Sequence, residues 1–316
     1  MKSINVFSGF DGMSCGQYVL RDLNVNLEGY FASEIKPHAM KVTNLHFPDT
    51  KQVGDITKIK GKDLPKIDLY IGGSPCQDFS QANKVRLGAD GEKSGLFWEY
   101  VRLLNEVRTV NPDVLFFLEN VKMKKEHEAL VTEVMGVTPI KINSKLVSGQ
   151  LRNRIYWTNI NDGTIPQPED KLEKFQNVLA EGYTDREKAR TLLESDSRPL
   201  STPVKMFHRY YAAGFTTLVF KNEEHYHLCK GHYENNFKGL SAKGIDSKLL
   251  DESVDCSVYE GLRYMNKEER CKLQGLPVNY CETLTENEAA CLLGDGWNCQ
   301  TIKHIFSHLP DDWFKK

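Results

Sequence analysis

Through the first 160 residues, short apolar runs alternate with amphipathic stretches, and this rhythm limits the possible folds more than any other feature of the chain. The runs are Ile4–Phe7, Gly29–Ser33, Asp68–Gly72, Val114–Glu119, Pro139–Ile142 and Ile155–Thr158. Their length suits buried strands. Between them, Gly12–Arg21, Pro37–Asn44, Leu96–Arg108 and Lys124–Glu133 carry apolar residues at helical spacing. Parallel strands need a crossover between them, usually a helix. The expectation is therefore an α/β fold: a Rossmann-like, mainly parallel sheet with helices on both faces. Ligands of such sheets sit beyond the carboxyl ends of the strands, so residues that directly follow a strand become the candidates for chemistry.

The rhythm stops after Asn161, where Asp162-Gly163 and Pro166–Pro168 break it. Residues 166–262 are polar, with scattered Tyr and His, and read as a smaller second domain. Periodicity returns at Asn266–Leu273, Glu286–Leu293 and Thr301–Leu309. The last segment is expected to pack back on the first domain. Residues 1–165 would then form one domain, completed by 263–316. No run approaches the roughly 18 apolar residues of a membrane span, and Met1–Phe10 lacks the regions of a signal peptide. Eight cysteines without a C-x-x-C pair indicate free thiols in a reducing cytoplasm. The expected location is cytoplasmic, with no membrane. A net charge of −2 is not that of a strongly basic nucleic-acid binder. A local stripe is enough to neutralise phosphates, however. Candidate stripes are Lys122, Lys124 and Lys125, then Lys141, Lys145, Arg152 and Arg154, with plain solvated faces as the alternative.

The first strand leads into Ser8-Gly9-Phe10-Asp11-Gly12-Met13-Ser14-Cys15-Gly16 and then a helix. Glycines let the backbone approach a ligand, and a helix N-terminus offers unpaired N–H groups. Glu34 follows the second strand, 22 residues after Gly12, close to the spacing of a ribose-binding carboxylate. Asp55 follows a third strand region and could accept an adenine amino group. Together these suit an adenosine ligand; singly they read as a turn and two surface acids.

A fourth strand runs into Gly73-Ser74-Pro75-Cys76-Gln77-Asp78-Phe79-Ser80. A cysteine here is either a buried inert thiol or, with N–H groups or a cation nearby, a nucleophile. Glu119 follows four apolar residues, where a carboxylate is paired or put to proton work. Then comes Gln150-Leu151-Arg152-Asn153-Arg154, whose alternate arginines would share one face of an extended segment.

The combined set resembles the cytosine-5 DNA methyltransferase family. The residues that carry the resemblance are Phe10-Asp11-Gly12, Gly72-Gly73-Ser74-Pro75-Cys76-Gln77, Glu119-Asn120-Val121 and Gln150-Leu151-Arg152-Asn153-Arg154. Glu269–Pro277 and Leu293-Gly294-Asp295-Gly296-Trp297 follow in the family's order. The match covers about 1–160 and 263–310, and looks closest to small phage or bacterial enzymes and to the catalytic domain of the eukaryotic de novo branch. Asp295 stands where many bacterial members carry Asn, which implies a changed cofactor affinity.

The resemblance implies S-adenosylmethionine as methyl donor and S-adenosylhomocysteine as product. Cys76 would add to C6 of a flipped cytosine, making C5 nucleophilic. Glu119 would hold N3 and the exocyclic amine through a partly protonated carboxyl, and Arg152 and Arg154 would form an electrostatic clamp. Cofactor contacts carry over to Phe10, Asp11, Gly12, Met13, Ser14, Glu34, Ile35, Asp55, Ile56, Leu96, Gly296 and Trp297. Substrate contacts carry over to Gly73, Ser74, Pro75, Gln77, Ser80, Asn120 and Gln150. Ser80–Lys93, with Gly88, Gly91, Lys84 and Arg86, would be a mobile loop closing over the DNA.

Residues 166–262 would be the target-recognition domain, bearing Lys205, His208, Arg209, Lys221, Lys230, Lys238 and Lys243 among tyrosines. His225, His227, Cys229 and His232 match no standard zinc spacing, and strand alternation would place the first three on one face; no metal is expected. The expected partner is duplex DNA, with a cognate restriction endonuclease as a further candidate, and the expected state is a monomer. Two other readings stay open: methylation of tRNA, and a non-catalytic nucleic-acid-binding regulator.

Overall fold

The computed structural model describes residues 1–75, 95–194, 202–214, 216–251 and 253–315. Packing divides the chain into two compact units, Met1–Asn143 with Asn153–Glu169 and Gly296–Lys316, and Ser144–Arg152 with Asp170–Asp295.

The first unit is built on one sheet. Its strands are β1 (Ile4–Gly9), β2 (Leu27–Ser33), β3 (Lys51–Gln52), β4 (Leu69–Gly72), β5 (Leu115–Val121), β6 (Ile140–Asn143) and β7 (Asn153–Thr158), in the order β3-β2-β1-β4-β5-β7-β6. Pairing is parallel from β3 through β5 and antiparallel where β7 inserts between β5 and β6. The interior strands are mostly apolar and buried, with both faces covered, and carry their polar residues mainly near their ends. Helices α1 (Cys15–Asp22), α2 (Pro37–His46), α3 (Leu96–Val110) and α4 (Lys125–Met135) follow strands, as the rhythm predicts. One core gathers Phe7, Tyr70, Tyr100, Leu103, Phe116 and Trp157.

In the second unit, α5 (Pro203–Tyr211), α6 (Glu223–Asn236) and α7 (Ala242–Lys248) are followed by α8 (Lys267–Leu273) and α9 (Glu286–Asp295). Each of α5 to α8 begins at a polar cap: Thr202, Asn222, Ser241 and Asn266 accept backbone N–H groups through their side chains. A largely aromatic core collects Phe207, Tyr210, Phe220, Tyr233, Phe237 and Tyr259. By packing, residues 263–295 group with this unit, whereas the sequence boundary assigned them to the first. Helix α10 (Cys299–Phe306) belongs to the first unit, with the segment expected to return there.

His225, His227 and Cys229 lie on α6, not on a strand. The helical turn buries His225 and Cys229 and leaves His227 exposed. His225 Nδ1 accepts the Lys221 N–H at 3.1 Å, so its Nε2 carries the proton donated to Val258 O at 2.9 Å. Both ring nitrogens therefore serve the fold. No helix among the described residues is long and apolar enough to cross a membrane.

Candidate active site

Two residues at the carboxyl end of β5 organise the first unit's site. Glu119 faces Tyr156 in the antiparallel register with β7, and Arg154, two residues earlier on β7, lies on the same face. Arg154 Nε stands 2.8 Å from Glu119 Oε1, with both side chains largely buried. The Nε–H makes no aligned hydrogen bond, so the contact is one of charge. Asn120, the next residue of β5, points to the other face of the strand. Its Nδ2 donates to Ser74 O at 3.0 Å and to Ser74 Oγ at 3.3 Å, fixing the chain as it leaves β4.

Phe117 shares Glu119's face of β5 and anchors the far wall. Its ring lies 5.2 Å from Trp297, 5.6 Å from Tyr156 and 5.1 Å from Phe306, centroid to centroid. Trp297 is thereby held against Gly73. A methyl group on Gly73 would stand 2.9 Å from Trp297 Nε1, closer than such contacts allow, and a tight 3.1 Å from Glu119 Oε2. The glycine thus lets the β4 exit pass between the carboxylate and the indole.

The loop after β1 supplies the second part. Phe10, Gly12 and Ser14 all adopt left-handed backbone angles, at φ 57, 60 and 60. For the two non-glycine residues this is a strained conformation of the kind that gathers at ligand sites. Gly12 N donates to Glu34 Oε2 at 2.8 Å, while Glu34 Oε1 accepts the N–H groups of Ile35 and Lys36 at 2.7 and 2.8 Å. Asp11 accepts hydroxyl hydrogen bonds from Ser14 and, at 2.8 Å, from Tyr30. Burial raises the Asp11 carboxyl to about 6, against the lowering effect of the Ser14, Ser8 and Tyr30 hydroxyls, and the charge of Glu34 adds to the rise. Asp55 caps the turn at Ile56–Lys58, and its two hydrogen bonds from Thr57 hold its carboxyl below the usual range.

Eight of the twelve expected cofactor residues fall into three groups. Phe10 and Leu96 border the core, half-buried, and Ile35 is exposed. Met13 and Ile56 are core residues, at 1% and 3% exposure. Gly12, Glu34 and Asp55 follow β1, β2 and β3, where an adenosine ligand would lie. Tyr30, which binds Asp11, carried no sequence signal beyond an aromatic inside a strand.

Arg152 and Gln150 depart from expectation. Strand β7 begins at Asn153, so the alternation that would have placed both arginines on one face does not extend to Arg152. Arg152 belongs to the second unit, where it is 1% exposed and donates to Leu192 O at 3.2 Å and Gly294 O at 3.1 Å. Gln150, also buried there, donates to Leu273 O at 2.8 Å and Gln274 Oε1 at 2.9 Å. Within the candidate stripes, Lys141 pairs with Glu128 at 2.6 Å. Asp295 ends α9 and is exposed. Cys76, Gln77, Ser80 and the loop Ser80–Lys93 lie outside the described residues, and Pro75 is the last residue before them.

Residues 1–137 match the family described as C-5 cytosine-specific DNA methylase. The type II methyltransferase M1.ScrFI of Lactococcus lactis subsp. cremoris is 27% identical over 96% of this chain and 76% of its own length. The order of fold, loop and motif agrees with that match. The chain is thus similar to the C-5 cytosine-specific DNA methylase family over residues 1–137. Other methylases of the family align over less of themselves. Type II methyltransferase M.NgoBV of Neisseria gonorrhoeae is 31% identical over 58% of this chain and 47% of its own length. Orphan methyltransferase M.SPRI of Bacillus phage SPR is 29% identical over 80% of this chain and 58% of its own. This chain thus spans about half the length of these two relatives. The methylase fold also matches Spodoptera frugiperda DNMT2, seen as a mutant, with a TM-score of 0.65 at 15% identity over 96% of this chain and 99% of that one. Entamoeba histolytica methyltransferase EhMeth gives 0.66 at 15%, covering all of both chains.

Proposed function

We propose that the chain methylates C5 of cytosine in duplex DNA, taking the base out of the helix and attacking it with Cys76. The Glu119–Arg154 pair carries this reading: a largely buried carboxylate with its counter-charge stands at the end of β5, beside the glycine that leads to Cys76. S-adenosylmethionine fits the residues present. Gly12 sits at φ 60 with nothing within 4 Å of where a side chain would begin, and Glu34 and Asp55 flank it after the neighbouring strands. Phe10, Asp11, Gly12, Glu34, Asp55 and Trp297 would hold the donor, which supplies an electrophilic methyl group.

The protein's own part begins with the Cys76 thiolate adding to C6 of the ring, which makes C5 electron-rich. Glu119 holds a proton at N3 as charge builds on the base. Arg154 balances the charge of Glu119 and faces the ring from β7. Asn120 holds Ser74, at the exit of β4, through two hydrogen bonds. Once C5 carries the methyl group, loss of H5 as a proton and departure of the Cys76 thiolate restore aromaticity. Arg152 and Gln150 act as positioning residues through their carbonyl partners. Residues 166–262 form the recognition domain, and the protein works as a cytoplasmic monomer beside a cognate endonuclease or as an orphan enzyme.

The test is transfer of label from tritiated S-adenosylmethionine. Label in DNA cytosine, absent in Cys76→Ser, is expected. Label confined to tRNA would assign the RNA substrate instead. DNA binding without label would make the chain a regulator. A duplex with 5-fluorocytosine should trap the protein covalently.

A further inference from the structure

The strained loop between β1 and α1 is held by residues outside it. Ser14 precedes α1 in the left-handed region, at φ 60 and ψ 39, a conformation that glycine adopts without penalty. It stands at the N-cap position, where a serine side chain usually accepts a backbone N–H, yet it makes no capping hydrogen bond. Its hydroxyl meets Asp11 and Thr43 instead, with Thr43 Oγ1 at 2.9 Å. The other Asp11 oxygen accepts the Tyr30 hydroxyl at 2.8 Å. Ser8, on β1, brings a further hydroxyl to the same carboxyl.

Counting protons sets the direction of these bonds. A hydroxyl has one hydrogen to donate. With Asp11 ionised, Ser14 gives its hydrogen to the carboxylate, so Thr43 is the donor to Ser14 Oγ. The bonds run from Thr43 on α2 through Ser14 to Asp11, and from Tyr30 on β2 to Asp11. Connected donors of this kind polarise and strengthen one another. Thr43, Ser14 and Tyr30 are buried, at 0%, 0% and 3% exposure, so water does not readily replace a lost hydroxyl.

Tyr30 lies inside β2 and Thr43 in the second half of α2, away from the strand ends where a ligand would lie. Their hydroxyls therefore act on the loop. That loop takes left-handed angles at Phe10, Gly12 and Ser14, three of its five residues from 10 to 14. Without its outer bonds it would spread over other shapes, and apparent affinity falls with the fraction of molecules in the competent one. We propose that Tyr30 and Thr43 are positioning residues of the methyl-donor site, which fix the Phe10–Ser14 loop through Asp11 and Ser14 in the shape that binds S-adenosylmethionine. This rests on the reading of that loop as part of the donor's site.

The experiment is calorimetric titration of the full chain with S-adenosylmethionine, and separately with S-adenosylhomocysteine, at a pH well above about 6, with Asp11 ionised. Tyr30→Phe and Thr43→Val each remove one hydroxyl and little else. Each should weaken binding of both compounds about tenfold. Thr43→Ser keeps the hydroxyl and should bind within about twofold of wild type. In turnover, the Tyr30→Phe loss should fall on the KM for the donor and leave kcat within about twofold. Wild-type affinity in Tyr30→Phe, equal losses in Thr43→Ser and Thr43→Val, or a fall in kcat at unchanged KM overturns the proposal alone. A wild-type chain that binds neither compound overturns the donor reading, and the proposal with it. Should Thr43→Val melt early, Tyr30→Phe, which keeps its ring, decides the matter.

Discussion

Arg154 reaches Glu119 along a diagonal of the β5–β7 pair, its Nε 2.8 Å from Oε1. A diagonal pair of this kind survives only while the two strands keep their register. Glu119→Gln keeps the shape and removes the exchangeable proton, so kcat should fall by about 10²–10⁴-fold. Arg154→Ala should lower it by roughly 10²-fold. The double variant should lose less than the product of the two, with a coupling of about 1–3 kcal/mol in a kinetic double-mutant cycle. Independent, multiplicative effects would separate the two residues.

Gly73 yields a steric prediction. Gly73→Ala drives a methyl group between Trp297 and Glu119. Activity should drop at least tenfold, while thermal stability changes little because the neighbouring groups sit at the edge of a site and can shift. Adding Trp297→Phe removes the atom in conflict and should restore part of the rate. Steady-state kinetics of the three variants decides it.

Asp11 predicts a pH dependence. In an unfolded chain this carboxyl ionises near 3.9, whereas burial in the fold lifts it to about 6. Between those values the folded state binds the extra proton. Its contribution to stability is complete below about pH 4 and is lost as pH rises through 6, a change of roughly 2–3 kcal/mol. Asp11→Asn has no proton to lose. Relative to wild type, it should therefore gain stability between pH 4.5 and 7.5, as measured by denaturant unfolding at both pH values.

Glu269 anchors the second unit. It is fully buried and accepts both Arg263 guanidinium nitrogens at 2.8 Å, together with the N–H groups of Ala180 and Asn266. Arg263→Ala leaves that carboxylate without its counter-ion and should destabilise by about 3–5 kcal/mol. Glu269→Gln, which keeps the shape and some of the bonds, should cost about 1–3 kcal/mol. Melting curves that place the two variants in the opposite order would contradict this account.

The sheet was legible in the sequence because its interior strands contain short apolar runs bounded by helical spacing. A third strand region ahead of Asp55 was read too, but not its bounds, since Lys51–Gln52 is too short to show a period. The antiparallel course of β7 was also hidden, because apolar runs carry no direction. In the second unit the core is built largely of Tyr and Phe, so residues 166–262 read as polar and showed no rhythm of elements. The His225–Cys229 stretch alternates in sequence yet turns as a helix, set by its Asn222 cap. The positions of Glu119 and the Gly12 loop at strand ends were readable from residue type and spacing. The separation of Arg152 from Arg154 rests on where β7 starts, and the contact of Gly73 with Trp297 joins residues more than 200 positions apart. Neither has a local signal.

That last contact bears on synthesis as well as on catalysis. A ribosome emits residue 73 and residue 119 long before residue 297, so for most of translation the carboxylate lacks the indole that closes its pocket. A nascent chain that has already folded its sheet would carry Glu119 without the indole beyond Gly73.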